Sequence, residues 1–305
     1  MLDLGTTFLQ SVERRPDALA VVDGQTRFTY AQWLTRIRAV AGGLAQLGLK
    51  RNDHLVVAMQ NRWEMATLHW ACQFLGVIVT PLNWRAKGDE IDYCVLDAEA
   101  RAIVFEPASA EAVAQSAACA NLPRIAALGA QGGTLGFDSL LSATPLSDCL
   151  ASAEDWSLML YTSGTTGNPK GVMLSHMNMI ASAECFIEVN DTKQGDNWLS
   201  YLPMAWVGDH LFSYAQGHVV GLVLKLGIGP NHGNNLLAAH LLLFGRAGRG
   251  AGRHQAHDVV VVDHAAGKQH KFKVELVHRI GGTALPFAAF VVLGLLGFEA
   301  LGGFQ

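Results

Sequence analysis

Residues 161–176 read YTSGTTGNPKGVMLSH and concentrate more potential chemistry than any other stretch of the chain. Thr162, Ser163, Thr165 and Thr166 offer four hydroxyl donors, Gly164, Gly167 and Gly171 three positions without Cβ, and Lys170 a positive charge on a flexible stem. Glycines let consecutive backbone N–H groups turn inward as an anion-binding nest. Hydroxyls and a lysine ammonium then complete a set of donors suited to phosphate oxygens. Pro169 restricts the backbone beside the lysine. The pattern is not GxxxxGK[ST], because proline occupies 169 and glycine 171. A plain solvated turn is the competing reading, and the density of donors between two apolar runs argues against it. Thr162, Ser163, Gly164, Thr165, Thr166, Gly167 and Lys170 are therefore the candidate phosphate-binding residues.

Such a loop needs rigid flanks. WSLMLYT (156–162) has the composition of a strand, and GVMLS (171–175) that of a second, shorter one. HMNMIASAECFIEV (176–189) has helical length, with Ser175 placed to cap it. Upstream, apolar residues at Trp33, Leu34, Ile37, Val40, Ala41, Leu44 and Leu47 recur at helical spacing, with Gly48 at the expected helix end. HLVVAM (54–59), VIVTPLN (77–83, stopped by Pro81) and RAIVFE (101–106) read as buried strands. EMATLHWACQFLG and KGDEIDYCVLDAEA between them read as helices, the second with acids in its first turn. Alternation at this spacing predicts an α/β fold with parallel sheets covered by helices. Residues 107–153 read as surface helices and loops.

Half of the 305 residues are hydrophobic and 16% charged, enough for a sizeable core. A net charge of −4 leaves no footprint for nucleic acid. Five scattered cysteines without a CxxC pair fit reduced thiols of a cytoplasmic protein. The first sixteen residues lack the basic-then-apolar pattern of a signal peptide.

The loop as a whole resembles the phosphate-loop signature of the AMP-forming acyl-adenylating enzymes, which include acyl-CoA synthetases, firefly luciferase and the adenylation domains of peptide synthetases. The stretch from Phe28 to Asn83, ending in the GVIVTPLN run, resembles the N-terminal segment of that family. YLPMAWVGDHLF (201–212) resembles the next family motif, which lies at the acyl and ATP pocket. The resemblance runs from about residue 6 to residue 216. It implies that a carboxylate attacks the α-phosphate of Mg·ATP, that acyl-AMP and pyrophosphate form, and that a thiol, usually of coenzyme A, takes the acyl group. The partners it implies are a small carboxylic acid, a fatty acid by the style of the second motif, and CoA. It also implies that Thr162–Lys170 holds the β- and γ-phosphates. That assignment makes physical sense, because phosphoryl chemistry needs charge stabilisation more than a side-chain nucleophile. Trp206 stands where acyl-CoA synthetases often carry histidine or another aromatic residue. It reads either as a wall of the acyl or adenosine pocket or as ordinary core. Asp209 and His210 read as structural.

Past Gln216 the resemblance stops, and so does the composition. All seven tryptophans and five tyrosines lie at or before Tyr214, whereas eight of twelve histidines follow Gln216. The net balance is −8 up to residue 216 (14 basic, 22 acidic) and +4 after it (8 basic, 4 acidic). The expectation is a partial adenylating domain over 1–216 and an unrelated tail over 217–305. A shifted reading frame is the favoured origin of the tail, ahead of an unrelated graft or a membrane tether formed by Ile280–Phe298. His254, His257, His264 and His270 show no recognisable metal-ligand spacing. The family's Mg²⁺-holding glutamate, ribose-gripping aspartate and C-terminal lysine have no counterpart recognised in the tail. The polypeptide as written is therefore expected not to turn over, and a silent fragment that binds nucleotide weakly is the alternative to an enzyme. With the sheet-closing strands expected after 216 also missing, uncovered edges and aggregation are expected.

Overall fold

The computed structural model describes residues 2–129, 133–162, 169–190, 192–200, 202–215, 217, 219, 221–226, 255–263 and 268–276. The chain divides into two compact units, Met1–Gly233 and Asn234–Gln305.

The first unit opens with α1 (Leu4–Arg14), whose N-terminus is capped by Asp3 accepting from the Thr6 N–H at 2.8 Å. A hairpin, β1 (Leu19–Asp23) and β2 (Thr26–Thr29), leads into α2 (Tyr30–Gln46). Thr29 and Gln32 form a reciprocal capping box at the start of α2. Gly48 lies just past its end at φ +92°, where a side chain would be strained. Then follow β3 (His54–Ala58), α3 (Trp63–Leu75), β4 (Ile78–Leu82), α4 (Gly88–Asp97) and β5 (Ala102–Phe105). These match the expected alternation. Gly76, at φ +76°, ends α3 in the left-handed conformation.

Pro81 does not stop β4. The strand runs through it, with Val57↔Pro81 and Ala58↔Leu82 still in register with β3. Pairing of β4 with β8 registers only at Val79↔Leu158, so past that point one side of β4 asks for no donor.

The 107–153 region holds more sheet than expected. Besides α5 (Ala110–Gln115) and α6 (Phe137–Leu141), it contributes β6 (Arg124–Ala126) and β7 (Leu135–Gly136). Three and two residues are too few to show a period of two. Next come β8 (Trp156–Thr162), β9 (Lys170–Ser175), α7 (His176–Asn190), β10 (Asn197–Ser200) and α8 (Val207–Asp209), which continues as a π-helical stretch His210–Ala215. Ser175 caps α7 as expected, its hydroxyl accepting from the Asn178 N–H at 3.1 Å. The last strand of the unit is β11 (Val223–Leu226).

Seven strands form one sheet in the order β7-β6-β5-β3-β4-β8-β9, parallel except for the final β8/β9 pair. Four form another, β10-β11-β1-β2, antiparallel only at β1/β2. β11 lies beyond residue 216, yet it is central to its sheet, parallel to both β1 and β10. One strand expected to be missing is therefore present. Tyr30 fixes this return of the chain, its O–H donating to the Leu222 carbonyl at 2.6 Å.

The core is aromatic. The Phe8 ring of α1 packs on Trp70 at 4.8 Å and edge-on to Trp33 at 5.4 Å between centroids. Trp33 donates its indole N–H to Thr67 Oγ1 at 3.0 Å, so its one polar group is satisfied on burial. Each such ring contributes roughly 1.5–3 kcal/mol through the apolar area it buries. In the second unit, β12 (Gln255–Asp263) and β13 (Lys268–Leu276) form an antiparallel ladder from Gln255↔Leu276 to Asp263↔Lys268.

Candidate functional site

The candidate phosphate loop spans the turn between β8 and β9. The antiparallel ladder reaches Tyr161↔Gly171 and Thr162↔Lys170, so the two ends of the glycine- and hydroxyl-rich segment sit at strand spacing. Thr162 Oγ1–H donates to the Lys170 carbonyl at 3.3 Å. Both residues are exposed. Ser163, Gly164, Thr165, Thr166 and Gly167 lie outside the described residues.

Helix α4 braces both ends. Tyr161 on β8 donates its phenol to Asp97 Oδ2 at 2.8 Å, with the Cys94 carbonyl at 3.2 Å. Tyr93 donates to the Pro169 carbonyl at 2.9 Å, just before Lys170. The two rings meet edge-on at 6.2 Å and 72°. Burial, and then the Asp97 carboxylate, push the Tyr161 phenol above its ordinary pKa, so it stays a donor at neutral pH. The sequence marked Tyr161 only as the end of a strand and gave no hint of Tyr93 or Asp97. Their i, i+4 spacing on α4 was visible, but what they face was not.

Gly171 has a different role from the one expected. It lies in β9 with no positive φ, not in a nest. A Cβ there would fall 1.9 Å from Met159 Cε and 3.3 Å from its Sδ. The missing side chain makes room for Met159 of β8, which locks the hairpin face.

The 201–212 motif forms a second cluster, described from Leu202 onward. Trp206 is 42% exposed and so is not core. Its backbone N–H donates to the Pro203 carbonyl at 2.9 Å, closing a tight turn. The polar side chains around the turn, Asn61, Ser200, Asp209, His210 and Ser213, are buried. Asn61 Nδ2 donates to the Leu202 carbonyl at 2.7 Å and to Ser200 Oγ at 3.2 Å. Asn61 Oδ1 accepts the Met204 N–H at 3.3 Å. His210 Nε2 donates to the Met204 carbonyl at 2.6 Å. Asp209 Oδ1 accepts from Ser200 and Ser213, while its Oδ2 has no partner among the described residues. Burial pushes the Asp209 carboxyl up to about 7 and the His210 imidazole down to about 4. Asp209 and His210 thus each hydrogen-bond within this cluster.

A third group joins β5 to the start of α3. Glu106, buried, accepts from Arg62 Nε at 2.7 Å and from the Gln60 N–H at 2.7 Å. Among the described residues no group of three or more His, Cys, Asp or Glu could hold a metal ion. No described helix is long and apolar enough to cross a membrane, and residues 280–298 lie outside the described set.

Parallel sheets flanked by helices, closed at one edge by a hairpin that carries a hydroxyl- and glycine-rich turn, define the N-terminal domain class of the acyl-CoA ligases. The chain belongs to the AMP-binding enzyme family, whose model matches residues 8–225. The match extends to β11, past the point where the motif resemblance ended. A feruloyl-CoA synthase of an Amycolatopsis species is 34% identical over 176 residues, covering 58% of this chain and 34% of that protein. The long-chain-fatty-acid–CoA ligase FadD13 of Mycobacterium tuberculosis is 28% identical over 208 residues, covering 67% and 41%. Among solved structures, the anthranilate CoA ligase AuaEII in complex with anthranoyl-AMP shares the fold at TM-score 0.73 and 19% identity, over 79% of this chain and 48% of that one. The chain spans about a third to two fifths of the length of these curated relatives.

Proposed function

We propose that this chain works in the ATP-dependent activation of a carboxylic acid. A carboxylate oxygen attacks the α-phosphorus of ATP, the bond to the bridging oxygen of the β-phosphate breaks, and pyrophosphate leaves as acyl-AMP forms. A coenzyme A thiol then displaces AMP to give the thioester. The acid is one with a substantial apolar body, a fatty acid first. The printed activities of the relatives, on feruloyl and long-chain fatty acyl groups, favour that class.

The observation that carries this reading is the β8–β9 hairpin, which holds Thr162 and Lys170 at its two ends in a chain of the AMP-binding family. Thr162, Ser163, Gly164, Thr165, Thr166, Gly167 and Lys170 would hold the β- and γ-phosphates, and Trp206 would form a wall for the acid. Mg²⁺ would neutralise the departing pyrophosphate when bound with ATP. The chain's own part is to position the phosphates and balance their charge.

The experiment pairs MgATP binding with carboxylate-dependent ATP–pyrophosphate exchange, using a Thr165→Ala, Lys170→Ala double variant as control. Exchange above the control assigns the whole first half-reaction to these 305 residues. Binding without exchange, lost in the double variant, assigns them the phosphate grip alone. No MgATP binding overturns the reading.

A further inference from the structure

The one exposed tryptophan of the second cluster sits on an unusually constrained support. Trp206 closes a turn that contains Met204, and the Met204 N–H and carbonyl are each paired with a side chain, Asn61 and His210. Asn61, which precedes α3, accepts the Met204 N–H and reaches on to the Leu202 carbonyl. His210, one helical turn beyond Trp206, donates to the Met204 carbonyl at 2.6 Å. A carbonyl only accepts, so His210 carries its proton on Nε2, and Nδ1 is bare. Nδ1 has no partner among the described residues. Tyr214 adds a contact to Met204 Sδ at 3.1 Å. Asn61, Met204, His210 and Tyr214 are all buried, whereas Trp206 is not. Buried polar groups held this way fix one geometry, because each alternative leaves a donor or acceptor unmatched away from water.

We propose that Asn61 and His210 are positioning residues that clamp the Met204 peptide and so fix the orientation of the Trp206 indole as a rigid apolar wall for the acid. The role of the wall rests on the function proposed above, and the clamp itself does not. His210 acts through Nε2 as a neutral donor, not as an acid or base. A glutamine at 210 carries an amide N–H at a similar reach and should substitute for it, whereas leucine fills the space and donates nothing.

The test uses the full chain labelled with 5-fluorotryptophan and read by fluorine NMR. The Trp206 line is the one missing from Trp206→Phe. In the wild type and His210→Gln it should be a single sharp line. In His210→Leu it should split or broaden while the other six lines stay in place. If His210→Leu fails to fold, Asn61→Asp, which keeps the shape but removes the donor to Leu202, should give the same local loss. A Trp206 line unchanged in both variants overturns the clamp, as does equal disturbance in His210→Gln and His210→Leu. Dodecanoate then reads the wall. It should shift the Trp206 line in the wild type and in His210→Gln, and require a higher concentration in His210→Leu. A dodecanoate response confined to other lines overturns the wall. MgATP titration of the wild type reads the proposed function separately, and its failure leaves the Trp206 line of each variant to judge the clamp.

Discussion

The β8–β9 turn and the 202–214 segment solve opposite problems. The two described ends of the turn, Thr162 and Lys170, are exposed to solvent. Those ends are held by backbone pairing, by Tyr161 of β8 reaching Asp97 of α4, and by Tyr93 of α4 reaching the Pro169 carbonyl. The 202–214 segment hides its polar groups and exposes one indole. A loop that must offer its donors to a ligand has few left to hold itself. A buried segment can spend most of its polar groups on its own support. The two regions should therefore respond differently to mutation: the turn through binding, the second segment through stability.

The largest effect is expected in the buried segment. Asn61→Ala removes three hydrogen bonds and leaves the part-buried Leu202 carbonyl and the buried Met204 N–H unmatched. A loss of about 3 kcal/mol should follow in chemical denaturation. A loss no larger than that of a surface substitution would break the comparison.

Protonation sharpens it next. The folded pKa of Asp209, about 7, lies above its ordinary value of 3.8, so the folded state binds the extra proton. Its contribution is fully present below pH 3.8 and is lost as pH rises through 7. His210 runs the other way. Its folded pKa of about 4 lies below 6.5, so its contribution is present above 6.5 and lost as pH falls through 4. Between about pH 4 and 6.5 the two slopes oppose each other. Relative to wild type, Asp209→Asn should gain stability as pH rises across that window, and His210→Gln should lose it, each by up to about 1.4 kcal/mol per pH unit. Parallel profiles for the wild type and both variants would refute the coupling.

The braces of the turn should show the smallest stability effect. Tyr93→Phe and Tyr161→Phe each remove one hydrogen-bonding hydroxyl, worth about 1 kcal/mol. Gly171→Ala pushes only on the flexible end of Met159 and should cost about 1 kcal/mol. All three should weaken MgATP binding more than their small change in melting would suggest. Titration calorimetry beside thermal unfolding checks this.

How much of this was legible follows the same division. The hairpin that flanks the turn could be read from 156–175 alone, because strand composition on either side of a polar loop is a local property of consecutive residues. The helices and strands from 30 to 106 were legible through their periodicity, and Gly48 and Gly76 through the left-handed turns they make. β6 and β7 were not, because two or three residues carry no period. Pro81 was misread because the cost of a missing donor depends on which neighbour is paired there, which only the sheet reveals. The same holds for the clamp. Asn61 and Met204 lie 143 positions apart, and no local pattern in QNRW or LPMAW says that they meet. β11 was missed because the motif resemblance ended before it, while its partner β1 lies at the other end of the unit.

The central claim is that the 162–170 turn grips the phosphates of ATP. Titrating MgATP into the wild-type chain and into Lys170→Ala tests it most directly. Loss of one charge-assisted contact, about 1.5–3 kcal/mol, predicts saturable binding to the wild type and an affinity roughly ten- to a hundredfold weaker in the variant. Equal affinity in the two proteins, or no binding to the wild type, would contradict it.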